Sequence, residues 1–180
     1  MMSSLSSLVN DFLEDLEIGQ GRSPKTVANY DYYLRHFFEH QHIKKISDIS
    51  PGTVRHFRRY LSQKNDIGLK VATQNYHFIA LRQFLKYLIQ RDIKALVPEK
   101  VGLAKVAERD IDVLYPEEVD ALLQAPKGQA IESHRDRAIL ETLFSTGLRI
   151  SELISLDRDD LRANTNEIPV RGKGNKVRVV

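Results

Sequence analysis

Phe144-Ser145-Thr146-Gly147-Leu148-Arg149-Ile150-Ser151-Glu152-Leu153-Ile154-Ser155-Leu156 decides how the chain is read. A helix runs into Gly147, a residue that accepts the left-handed turn ending most helices. One arginine follows, and a second apolar helix starts around it. Leu148, Ile150, Leu153 and Leu156 flank Arg149, so the spacing predicts a junction whose backbone is buried. A guanidinium there is always charged and presents a rigid fork that fits two oxygens of a phosphate. The rest of the chain must say whether a phosphate is supplied.

Upstream of the junction, Pro116-Glu117-Glu118 opens a helix with acids where the helix dipole favours them, and Val119, Leu122 and Leu123 carry it to Pro126. Arg135 to Ser145 reads as a further helix. Downstream the period changes from helical to alternating. Residues 167–171 and 176–180 read as two strands around Gly172-Lys173-Gly174-Asn175. Lys173 at such a tip is either an exposed turn lysine or a group able to reach a phosphate and donate a proton.

The first half of the chain is helical throughout. Leu5, Leu8, Val9, Phe12, Leu13 and Leu16 repeat at helical spacing up to Gly19. Ser23-Pro24 and Ser50-Pro51 each pair a capping serine with a proline suited to the first helical position. They open helices whose inward stripes are Val27, Tyr30, Leu34, Phe37 and Phe38, then Val54, Phe57 and Leu61, with Arg55, Arg58 and Arg59 pointing elsewhere. After a break at 65–68, a fourth helix from about Ala72 to Gln90 turns Phe78, Leu81, Leu85 and Leu88 inward. Periodicity fades between Asp92 and Val113, where Pro98, Gly102 and Glu108-Arg109-Asp110 mark a linker.

Composition narrows the chemistry. The 180 residues include no cysteine, which excludes disulfides and thiolate metal sites and suits a reducing cytoplasm. Neither a signal peptide nor a membrane-length apolar run is present in the sequence. The net charge of +3 is uneven: residues 1–105 hold 16 basic against 10 acidic side chains, and residues 106–180 hold 11 against 14. A basic helical half is compatible with a polyanion partner and equally with solvated faces. Small hydrogen-bonding and aromatic residues interleave with the bases in Lys25, Thr26, Asn29 and Arg35, and again in Thr73, Asn75, Tyr76, His77, Arg82 and Lys86. These are the types that contact DNA phosphates and base edges. His36, His40 and His42 lack the acids or cysteines that would complete a zinc site, so no metal or other cofactor is expected.

Thr146-Gly147-Leu148-Arg149-Ile150-Ser151-Glu152-Leu153 resembles the first-arginine motif of tyrosine recombinases, particularly of the Xer type and phage integrases. Gly172-Lys173-Gly174-Asn175-Lys176-Val177-Arg178 resembles the lysine β-hairpin of the same family. Ser23-Pro24-Lys25-Thr26, Thr73 with Ala80-Leu81-Arg82-Gln83-Phe84, and Pro116-Glu117-Glu118-Val119 resemble its helix openings, so the likeness covers the chain from about Leu5. It implies a mainly α chain: a helical SAM-like core-binding domain of four to five helices (1–97), a linker (98–113), and the first part of an α+β catalytic domain (114–180).

The resemblance also implies metal-free breaking and rejoining of double-stranded DNA through a 3′-phosphotyrosyl bond, in a synapse of four recombinase subunits. Arg149 would hold the non-bridging oxygens, Lys173 would protonate the departing 5′-oxygen, and Glu152 would orient Arg149. The family's His-x-x-Arg and nucleophilic tyrosine follow the hairpin, whereas the seven tyrosines here all precede Arg149. The expectation is therefore a chain that binds DNA without cleaving it alone. Two other readings stand beside it: a non-catalytic DNA-binding or regulatory protein of the same fold, and a helical protein-interaction module. Tyr115 and Lys70 stand where the family has capping residues, which predicts frayed helix starts.

Overall fold

The computed structural model describes residues 4–63, 68–107, 111–160, 167–172 and 177–180. It divides into two compact units, Met1–Arg109 and Asp110–Val180.

In the first unit, α1 (Leu5–Glu14) begins at Ser4, whose Oγ accepts the Ser7 N–H at 3.1 Å, and closes through a π-helical turn at Asp15–Gly19. α2 (Pro24–His40) starts on the expected pair, with Ser23 Oγ accepting the Thr26 N–H at 3.3 Å and Pro24 opening the helix. α3 (Pro51–Gln63) starts the same way: Ser50 Oγ takes the Thr53 N–H at 3.2 Å, and Thr53 Oγ1 takes the Ser50 N–H at 2.9 Å. These reciprocal bonds satisfy amide groups that a helix start leaves without partners. α4 (Val71–Ile89) has no side-chain cap from Lys70. Instead Gln74, one turn on, donates Nε2 to the Leu69 carbonyl at 2.7 Å and ties the helix to its entry loop.

One apolar core joins the four helices. Phe12, Phe37, Phe57, Phe78 and Phe84 are fully buried, together with Leu34, Leu61, Leu81, Leu85 and Leu88. Each such side chain contributes about 1.5–3 kcal/mol relative to an exposed one. Phe12 meets Phe84 edge-on at 5.5 Å and Phe37 meets Phe57 at 5.2 Å, which fixes α1 on α4 and α2 on α3.

Residues 98–104 differ from a free linker. Val101 is wholly buried in the same core. Asn75 closes a two-way clamp on the Ala104 backbone, its Oδ1 accepting the N–H at 3.0 Å and its Nδ2 donating to the carbonyl at 2.8 Å. Arg58, expected to point away from the core, lies over the Phe78 ring at 4.1 Å and donates to the Gly102 carbonyl. A planar cation can cover an aromatic face while its N–H groups stay hydrogen-bonded, a placement that hydrophobic periodicity does not register.

The second unit contains α5 (Pro116–Leu123), α6 (Ile131–Thr146), α7 (Ile150–Ile154) and a hairpin of β1 (Pro169–Arg171) and β2 (Val177–Val179). The start at Tyr115 does not fray, because Glu118 Oε2 accepts its N–H at 2.8 Å. α6 begins four residues earlier than the periodicity predicts and ends at Gly147, which adopts φ 62°. The strands are antiparallel with Val170 opposite Arg178, and Ile168 and Val180 extend the ladder by two backbone bonds. The helices and hairpin bear out a mainly α chain with an α+β second part. Among the described residues this unit buries only two apolar side chains, Leu148 and Val170. Ile150, expected to flank a buried junction, is 70% exposed.

Gly68 ends the connection into α4 at φ 71°, and a Cβ built there would stand 2.2 Å from the Ser62 carbonyl oxygen. Gly21 has a similar φ of 60° with open space around it. Gly21→Ala should therefore cost about 1–2 kcal/mol, the left-handed penalty alone. Gly68→Ala should cost clearly more, because backbone must also move. Chemical unfolding of the two variants, followed by helical circular dichroism, checks the order; equal losses would contradict it.

Candidate functional site

Arg149 sits at the N-cap position of α7, two residues after the left-handed Gly147. That turn ends α6 and lets the chain start a new helix within three residues. Arg149 keeps extended backbone (φ −72°, ψ 150°), and its side chain is 67% exposed. Glu152, one turn later, is the opposite case at 6% exposure. Its Oε2 accepts the Arg149 backbone N–H at 2.9 Å and its Oε1 accepts Arg149 Nη1 at 2.9 Å. An acid at this position reaching back to the N-cap amide is half of a capping box.

Arg178 on β2 completes the group, with Nη1 donating to Oε1 at 3.1 Å and Nη2 to Oε2 at 2.8 Å. The Glu152 carboxylate thus accepts four N–H groups, the full capacity of its two oxygens. The Arg178 hydrogen bonds, then the Arg149 backbone amide, hold its pKa down to about 2 against the opposing effect of burial. Two guanidiniums around one ionised carboxylate leave a local charge of +1. Arg149 spends one of its five donors on Glu152 and presents the remainder outward, an arrangement suited to an anion.

Lys173 lies outside the described residues. Sequence reasoning placed Arg178 within the hairpin motif but gave it no role. The available signal was strand alternation, which puts Arg178 on the face opposite Val177 and Val179 and beside the buried Val170.

In the first unit, the ten residues expected to meet DNA do not share one surface. α2 meets α4 where Tyr33 stacks on Tyr76 with ring centres 6.3 Å apart, and Tyr33 also lies 4.5 Å from the His77 ring. Lys25, Asn29 and Tyr33 follow at four-residue steps on α2, and Lys25, Asn29 and Tyr76 are exposed, with Thr26 and Thr73 half-buried beside them. Burial, then the neighbouring phenols of Tyr76 and Tyr32, raises the Tyr33 pKa, so its hydroxyl remains a proton donor.

Asn75 and His77 face inward. The Asn75 amide is engaged by Ala104, and His77 is 3% exposed with Nδ1 on the Thr73 carbonyl at 3.2 Å and Nε2 on His36 at 3.1 Å. Arg35 pairs with Asp31 at 2.6 Å and lines a hollow with Leu5 and Val9 of α1, on a different side from Asn29. Arg82 and Lys86 follow Tyr76 by six and ten residues, which turns them by about 120° and about 80° around α4. The missed members of the seam are Tyr32 and Tyr33, which the three- and four-residue steps from Asn29 would have found.

Glu152 predicts a measurable titration. A carboxyl whose folded pKa lies below its ordinary value stabilises the fold above about pH 4.5, and this contribution is lost as pH falls through about 2. Carbon NMR of the Glu152 side chain should show a midpoint near 2; one between 4 and 5 would remove the basis for a fully ionised, four-donor carboxylate.

Two family models match the chain. One, described as phage integrase, N-terminal SAM-like domain, matches residues 9–92, and the other, phage integrase family, matches residues 112–180. A tyrosine recombinase XerC of Pelotomaculum thermopropionicum is 35% identical over 178 residues, covering 96% of this chain and 58% of that protein. A XerD of Halalkalibacterium halodurans is 28% identical, over 99% of this chain and 60% of its own length. The crystal structure of XerA recombinase aligns with a TM-score of 0.45 at 26% identity, over 97% of this chain and 58% of that one. The chain thus spans about three-fifths of the length of these relatives. With both halves matched in order, the chain belongs to the phage integrase family of tyrosine recombinases.

Proposed function

We propose that the chain supplies the DNA-binding and phosphate-holding part of a site-specific recombinase that breaks and rejoins duplex DNA through a phosphotyrosyl bond. The observation that carries this is the Arg149 guanidinium, held from behind by a buried carboxylate and exposed in front. A donor fixed before the reaction stabilises charge developing on phosphoryl oxygens without reorganising as it forms. Arg149 holds the non-bridging oxygens of the scissile phosphate and Glu152 orients it. Lys173 is the general acid that protonates the departing 5′-oxygen.

In this reading residues 1–97 form the core-binding domain, 98–113 the connector and 114–180 the catalytic part. The seam of Lys25, Thr26, Asn29, Tyr33, Thr73 and Tyr76 meets the duplex, joining bases to hydroxyl, amide and phenol groups that contact phosphate and sugar. Partners are double-stranded DNA and further recombinase subunits, and the work is done in the cytoplasm. Among the described residues no helix is long and apolar enough to cross a membrane. The seven tyrosines all precede Arg149 and none stands in the nucleophile's context, so the 180-residue polypeptide holds DNA but does not cut it.

Gel shifts at rising salt test the binding. Retardation of duplex DNA should weaken steeply as rising salt lowers the gain from counterion release. Lys25→Gln should lower the slope of log affinity against log salt by about 1. No retardation, or retardation indifferent to salt, would favour a protein-interaction module. A nicked suicide substrate should yield no covalent protein–DNA adduct with this polypeptide, and an adduct would overturn the claim that it does not cut.

A further inference from the structure

Arg178 has a relation to Arg149 that neither the family motifs nor the proposed chemistry assigns. Its guanidinium grips Glu152 through both terminal nitrogens, 3.1 Å to Oε1 and 2.8 Å to Oε2. The same two oxygens take the side chain and the backbone amide of Arg149, each at 2.9 Å. One carboxylate therefore bonds the outgoing strand of the hairpin to the turn that carries the exposed arginine. Val170, paired with Arg178 across the ladder, is buried, and Glu152 lines one hollow with Ser155, Leu156, Val170 and Val177. With Leu148 and Val170 the only buried apolar side chains among the unit's described residues, apolar packing gives the hairpin little to rest on.

We infer that Arg178 is a positioning residue, locking β2 to the Arg149 turn through Glu152 so that the arginine and the strand are preset as one piece. The inference deepens the phosphate-holding reading and rests on it for its consequence in DNA binding. Arg178 acts through Glu152 and does not itself touch the phosphate. Its side chain is 39% exposed against 67% for Arg149, and both terminal nitrogens are turned to the carboxylate. The fork is the essential feature. A lysine at 178 keeps the charge but offers one point of contact, which cannot hold both oxygens in a fixed plane.

The test compares the 180-residue chain with its Arg178→Lys, Arg178→Gln, Glu152→Gln and Arg178→Gln/Glu152→Gln forms. Carbon NMR should show the Glu152 midpoint rising from about 2 toward the ordinary carboxylate range in both Arg178 variants, with faster hydrogen exchange at the β2 amides. Arg178→Gln should weaken duplex binding on the order of fivefold, and this loss should vanish in the Glu152→Gln background because the two residues act through one link. An Arg178→Gln loss that persists in that background and lowers the salt slope by about 1 would make Arg178 a direct phosphate contact and overturn the inference. So would an Arg178→Lys form whose Glu152 titration and β2 exchange match those of the unaltered chain. If the chain has no DNA affinity, the phosphate-holding reading fails, while titration and exchange still decide whether the lock exists.

Discussion

Glu152 is the carboxylate on which the second unit depends. Among the described residues of that unit only Leu148 and Val170 are buried with it, and it remains ionised because four N–H groups from two arginines and one backbone amide converge on it. Burial alone raises a carboxyl pKa, and here the hydrogen bonds outweigh it. The local order of α7, the aim of Arg149 and the attachment of β2 all follow from satisfying this one group. Removing any donor leaves part of a buried charge uncompensated, so the cluster works as a whole or loses its geometry.

The first unit rests on the opposite physics. Six buried phenylalanines and a set of leucines form a continuous core, and polar groups inside it occur as matched pairs. Asn75 meets both backbone groups of Ala104, and His77 places one nitrogen on the Thr73 carbonyl and the other on His36. A stable apolar body presents the seam between α2 and α4, whereas a thinly packed body presents Arg149. Rigidity in the one comes from area removed from water, and in the other from saturated hydrogen bonds.

The sequence made the helices legible because their signals are local. Ser23-Pro24 and Ser50-Pro51 cap and open as expected, Gly147 ends α6 in the left-handed region, and the leucine and phenylalanine stripes turn inward. What it left hidden was polar burial. Hydrophobic periodicity separates the apolar side of a helix from the rest, but a buried polar group is revealed only by its partner, which lies far along the chain. Asn75 finds Ala104, Arg58 finds Gly102 and Glu152 finds Arg178, pairs 26 to 44 residues apart. Arg35, Arg82 and Lys86 read like Lys25 in the sequence, although helical rotation turns them about 80° to about 120° away from the seam.

The Asn75 clamp on Ala104 also sets the length of a tether. From Ala104 to Pro116 the chain has twelve residues of reach, at most about 43 Å when fully extended. Opening the Asn75 amide pair and withdrawing Val101 would release the segment from Pro98 onward and lengthen the tether by about half. One asparagine side chain on a helix thereby sets how many residues separate the first unit's hold on the chain from the start of α5.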